Sequence, residues 1–154
     1  MLDKLITWHN SFSVGIQLLD DQHKDLIRII NGLYNHVVGD EKEEAAYFKK
    51  IIHDITNYVK VHFAAEEKIL LATKFPGYAE HKRAHDSFIL AVINNIQDFE
   101  AGKRLTLASF THFLKDWVLS HIAVMDQHYY EYFKTIGTHN ADGTLSIPHF
   151  TSES

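Results

Sequence analysis

Residues 40–77 read DEKEEAAYFKKIIHDITNYVKVHFAAEEKILLATKFPG, and the fold turns on this stretch. Asp40, with Glu43 three residues on, has the form of an N-cap and its capping-box partner. Phe48, Ile51, Ile52, Ile55, Tyr58 and Val59 then recur at three- and four-residue steps, the period of one buried helix face. Pro76-Gly77 breaks the pattern. The stretch therefore predicts a helix over Glu41–Ala72. Upstream, Leu26, Ile27, Ile30, Leu33 and Tyr34 mark a helix from about Asp20 to Val38, stopped by Gly39. Downstream, Phe88, Val92, Ile96 and Phe99 mark a third over Tyr78–Glu100, closed by Gly102. Thr106 reads as the N-cap of a fourth, which runs to about Thr135 through Phe110, Phe113, Leu114, Trp117 and Val124. Helices of about 20–30 residues are roughly 30–45 Å long. Joined by short connections, they pack as an all-α, up-down-up-down antiparallel four-helix bundle. One domain is expected over 1–154, with the bundle at about 20–135, an irregular N-terminal arm over 1–19 and a short C-terminal tail over 138–154, docked or frayed.

Composition narrows the function. The chain has 154 residues, 45% of them hydrophobic, and only 7 Gly and 2 Pro, which disfavours a turn-rich β fold and disorder. It has no cysteine, which excludes a disulfide scaffold, a thiolate metal site and a cysteine nucleophile. A net charge of −5 argues against a nucleic-acid partner. No apolar run approaches the ~20 residues of a membrane span, and Met1 to Asn10 carries no secretory signal. A soluble, cytoplasmic protein is expected. The 12 histidines stand out.

On a helix, residues four apart share a face and can hold or flank one metal ion. The second helix offers His62 and Glu66, the third His81 and His85. The fourth offers His121 and Asp126, and Asp20-Asp21-Gln22-His23 opens the first. Singly these prove little, since so many histidines should produce about one such pair by accident. His149 and Glu153 repeat the spacing in the tail, where Pro148 forbids a stable helix. Together they mean more. In an antiparallel bundle His23 near the start of one helix, His62 and Glu66 near the end of the next, His81 and His85 opening the third and the latter half of the fourth all fall at one level. Five imidazoles and two carboxylates there make the ligand set of a dinuclear site, and a sulfur-free set suits iron, with manganese or zinc as substitutes. His53 and His112 lie about 180° from proposed ligands and should face water, as should His9, His36 and His139. His128 shares the face of His121 about 10 Å deeper and reads as a buried polar group. Only the four-residue step keeps Glu66, and not Glu67, on the face of His62.

In these seven residues the chain resembles the hemerythrin family, and its bacterial members in particular, over about residues 8 to 135. The resemblance implies a non-haem centre of two iron ions (Fe2+/Fe3+) with an oxo or hydroxo bridge that binds dioxygen reversibly. By the same resemblance His81, His85 and His121 hold the coordinatively full iron, and His23 and His62 hold the iron with an open position. Glu66 and Asp126 bridge both. Leu26, Phe63, Trp117 and Ile122 lie on or beside the ligand faces and are expected to line an apolar dioxygen pocket. No further acid or base and no substrate cleft is evident, so a carrier is expected rather than an enzyme. Its expected partners are dioxygen and an oxygen-consuming enzyme, and a monomer is expected. The alternatives are a stress or nitric-oxide-handling protein on the same bundle, whose relatives tend to carry a glutamate in place of Asp126, and a sensor, which needs an output domain. One spacing resists an ideal helix. Five residues from His121 to Asp126 turn the face by about 140°. Either the two approach the irons from different sides, or a one-residue π-bulge re-registers the helix.

Overall fold

The computed structural model describes residues 3–103, 107–148 and 150. Helix α2 spans Glu41–Ala72, the bounds expected, and the Asp40 side chain accepts the backbone N–H groups of Lys42 and Glu43. Glu44, not Glu43, completes the cap. Its Oε1 accepts the N–H groups of Val38 at 2.9 Å and Gly39 at 2.8 Å, because the turn through Gly39 at φ +80° brings both amides over that position.

Helix α1 spans Gln17–Asn35, three residues earlier at each end than the apolar pattern suggests. Asp20 lies inside its first turn, where its carboxylate accepts the Val14 N–H and the Ser13 hydroxyl and so anchors the arriving arm. At the far end His36 Nδ1 meets the Gly32 carbonyl at 2.7 Å, and Val37 and Val38 are exposed, so no buried face remains to extend. Helix α3 spans Tyr78–Glu100 as expected. Lys103 N–H bonds the Asp98 carbonyl and Gly102 N–H that of Phe99, the paired bonds of a Schellman ending. The fourth rod is composite: α4 (Leu107–Ser120), a π turn (His121–Met125) and α5 (Asp126–Ile136). The expected cap Thr106 lies outside the described residues. None of the described helices is long and apolar enough to cross a membrane.

Two apolar clusters fill the bundle, one at each end. Leu26, Ile30, Leu33, Phe48, Ile55, Phe88, Phe110 and Leu114 belong to the larger. Val14, Leu19, Ile69, Leu70, Tyr129 and Phe133 form the smaller, joined by Leu145 and Ile147 from the tail. The tail carries a minimal antiparallel pair, β1 (Thr138–His139) with β2 (Leu145–Ser146), and Leu145 N–H bonds the Gly15 carbonyl at 2.8 Å. Gly15 stands at φ +77°, and a Cβ there would lie 2.9 Å from both Leu145 Cδ1 and Tyr130 Cε2. Gly15→Ala should therefore destabilise the fold by about 1–3 kcal/mol through backbone strain and crowding. A lower urea midpoint at unchanged helical circular dichroism is the expected reading.

Candidate metal centre

Between the two apolar clusters lies a polar layer. His23 comes from α1, His62 and Glu66 from α2, His81 and His85 from α3, and His121 and Asp126 from the fourth rod, each no more than 3% exposed. All seven residues singled out from the sequence meet there. Donor atoms of Glu66, His81, His85 and His121 lie within 4.8 Å of one another, and so do those of His23, His62 and Glu66. The carboxylates span the two groups. Glu66 Oε2 lies 3.3 Å from both His62 Nε2 and His85 Nε2, and Oε1 lies 3.5 Å from His81 Nε2. Asp126 Oδ2 lies 3.2 Å from His23 Nε2, while Oδ1 lies 3.1 Å from His121 Nε2 and 3.4 Å from His81 Nε2.

The five-residue spacing is resolved by the π turn. Asp126 N–H bonds the His121 carbonyl, five residues back, so the two residues stand on one face as residues four apart do in an α-helix. That extra residue shifts everything after it. His128, expected among the buried groups, is exposed, and Tyr129 takes the inward position. His9, His36, His53, His112 and His139 are exposed as expected. His149 lies outside the described residues.

Burying such a layer without cations carries an electrostatic cost. Burial alone would raise Glu66, but the charge of His62 and the approach of His62, His81 and His85 hold its carboxyl well below the usual 4.5. Burial and the Glu66 charge push Asp126 up, and His121 and His23 outweigh them to leave it below 3.8. Burial pulls His23 down, yet Asp126 lifts it above 6.5; in His62 burial wins and the imidazole falls below 6.5. Both oxygens of Glu66 and of Asp126, both nitrogens of His23 and His81 Nε2 nevertheless lack a hydrogen-bond partner. His85 Nε2 and His121 Nε2 face each other at 3.2 Å, a separation at which two lone pairs repel unless a proton or a cation lies between them. Buried, unpartnered nitrogen and carboxylate oxygen converging on two points fit a pair of cations, and without sulfur they fit iron.

Of the expected pocket residues, Phe63 lies flat on His85 with ring centroids 3.7 Å apart, and Trp117 stacks on His121 at 4.3 Å. Leu26 and Ile122 are buried in the same apolar cluster. The sequence reading missed the outer partners of the histidines. Gln22 Oε1 accepts from His62 Nδ1 at 2.7 Å, and Glu67 Oε1 from His85 Nδ1 at 2.9 Å. Tyr58 donates its hydroxyl to the Gln22 carbonyl and stacks beside His62. Adjacency to ligands was the available signal for Gln22 and Glu67. Tyr129 was hidden by the π turn, and burial pushes its phenol well above 10.

The depressed carboxylates set the acid stability of the metal-free chain. A carboxyl lowered on folding adds stability that is present above its ordinary value and lost as pH falls through the folded one. His23 and His62 shift in opposite directions and oppose each other near neutrality. The urea midpoint of metal-free protein should thus fall steeply once pH drops below 4.5, the ordinary value for Glu66. A Glu66→Gln variant should show a shallower fall.

Comparison with known proteins agrees with this geometry. The sequence pattern described as the Hemerythrin HHE cation binding domain matches residues 14–133. A bacteriohemerythrin of Stenotrophomonas maltophilia (strain R551-3) is 32% identical over 130 residues, 84% of this chain and 82% of that protein. A myohemerythrin of Sipunculus nudus is 32% identical over 123 residues, 79% of this chain and 88% of that one. The crystal structure of a wild-type hemerythrin superposes with a TM-score of 0.75 at 26% identity, covering 82% of this chain and 96% of its own. The chain belongs to the hemerythrin HHE cation-binding family.

Proposed function

We propose that this protein binds dioxygen reversibly at two iron ions held in the polar layer. The observation that carries the reading is the split of each buried carboxylate between two histidine groups, Glu66 between His62 and His85 and Asp126 between His23 and His121. His81, His85 and His121 would hold one iron and His23 and His62 the other, with Glu66 and Asp126 shared between the two groups. When bound, the iron pair supplies the two electrons that reversible uptake of dioxygen takes. The protein supplies the surroundings. Glu66 and Asp126 bring two negative charges that offset the cations in a region of low dielectric. Gln22 and Glu67 accept hydrogen bonds from Nδ1–H of His62 and His85, which turns both Nε2 lone pairs inward. Phe63, Trp117, Leu26 and Ile122 keep water from the layer. Beside the metal donors stands Tyr129, its ring against His81 and its phenol held protonated by burial well above 10, which leaves a weak acid at neutral pH and favours the reading of a carrier. Because every candidate ligand comes from one chain, the reading needs only a monomer. It places that monomer in the cytoplasm, storing dioxygen or passing it to an oxygen-consuming enzyme. The deciding experiment is the optical spectrum of reduced, iron-loaded protein on exposure to air. A visible band that forms in air and vanishes under vacuum is expected; irreversible bleaching overturns the reading.

Metal analysis should give two irons per chain, retained by His53→Ala and His112→Ala and lost as a pair in Glu66→Ala or Asp126→Ala. Since imidazole ligands must be deprotonated, iron should leave as the pH falls through and below about 6.5. A centre intact at pH 4 would contradict the histidine assignment.

Trp117 lies against His121 and 5.7 Å from Phe63, closing one wall of the layer. Truncating a core tryptophan to alanine costs about 3–5 kcal/mol and leaves a cavity, which beside polar groups fills with water. The milder Trp117→Phe should still take up dioxygen but lose the oxygenated band several-fold faster at the same pH. Equal decay rates would reduce Trp117 to a packing role.

A further inference from the structure

Glu66 and Glu67 are neighbours in α2, yet they take opposite edges of one imidazole. Glu66 Oε2 lies 3.3 Å from His85 Nε2, and Glu67 Oε1 lies 2.9 Å from His85 Nδ1. Successive helix residues are turned by about 100°, so Glu66 enters the layer while Glu67 reaches along the α2–α3 seam, its side chain 19% exposed. The second oxygen of Glu67 faces the Lys82 ammonium at 3.9 Å, and Lys82 also holds Asp86 at 2.7 Å. Phe63 covers the ring face of His85, with the two planes 2° apart. A carboxylate has no proton to give. Nδ1–H therefore donates to Glu67, and the Nε2 lone pair of His85 is aimed at the centre.

The other histidine group is supported differently. The outer partner of His62 is the neutral amide of Gln22, at 2.7 Å, and His23 Nδ1 has no partner. An amide oxygen orients a ring; a carboxylate orients it and also strengthens it as a donor to a cation, through a charge-assisted hydrogen bond. We propose that Glu67 is a positioning residue that makes the His81, His85 and His121 position the tighter of the two metal positions, the one filled first. Gln22 leaves the His23 and His62 position the weaker. This inference rests on the dinuclear reading above.

Cobalt(II) titrated into metal-free protein against a competing chelator tests both. The parent should take up two ions per chain in two separable steps. Glu67→Gln keeps an acceptor for Nδ1–H and removes the charge, so the tighter step should weaken by about ten- to a hundredfold while the weaker step stays within about threefold. Gln22→Glu supplies the missing charge to His62 and should tighten the weaker step, narrowing the gap. A third readout needs no metal: nitrogen-15 shifts should report the Nδ1–H tautomer of His85 in the metal-free parent and its loss in Glu67→Ala. A parent that takes up fewer than two ions overturns the dinuclear reading and this inference with it. A parent that takes up two, with Glu67→Gln and Gln22→Glu both unchanged or with Glu67→Gln weakening both steps alike, overturns this inference alone. So does a His85 tautomer that survives in Glu67→Ala.

Discussion

Seven ionisable side chains, five imidazoles and two carboxylates, cross the bundle at one level between two apolar clusters. Burying one unpaired charge costs several kcal/mol even after the surroundings relax, and a buried polar atom without a partner about 1–3 kcal/mol. Mutual attraction within the layer offsets part of this, as the depressed Glu66 and Asp126 carboxyls show. It cannot offset all of it, because both nitrogens of His23, His81 Nε2 and the four oxygens of Glu66 and Asp126 are left without hydrogen bonds. The helices on either side act as clamps. Their apolar stripes bury regardless of what the layer contains, and that burial holds the layer open for cations.

The fourth rod carries the sharpest compromise. A continuous α-helix from Leu107 would carry Asp126 off the face of His121. One inserted π turn restores it, at the expense of regular helix bonding over His121–Met125. The same turn sends His128 outward and Tyr129 inward. A local deviation of one residue thus sets both the bridging carboxylate and the packing of the smaller cluster, where Tyr129 meets Phe75, Phe133 and the ring of His81.

Around the layer the support is uneven. One end is aromatic, with Phe63 on His85 and Trp117 on His121. His85 leans on a carboxylate that reaches the surface, His62 on an amide, and His23 on nothing at its outer nitrogen. The two histidine groups thus differ both in number, three against two, and in what supports them from outside.

The bundle was legible because local signals agreed. Asp40 and Pro76-Gly77 bound α2, the Gly102 ending bounds α3, and the apolar steps give each helix one inward face. The level at which the helices cross follows from their lengths and antiparallel order, so the sequence pattern alone brings His23, His62, Glu66, His81, His85, His121 and Asp126 together. The start of α1 was less legible, because Ser13 and Val14 hand their hydrogen bonds to the Asp20 side chain and let the helix begin at Gln17. Of the two ways His121 and Asp126 could both reach the centre, only the packed bundle selects the π turn, since an isolated helix would regularise it. The outer partners Glu67 and Gln22 likewise became visible only in three dimensions. Periodicity records which face a residue takes on its own helix; the imidazole edge it meets belongs to a neighbour whose rotation about its axis is set by packing.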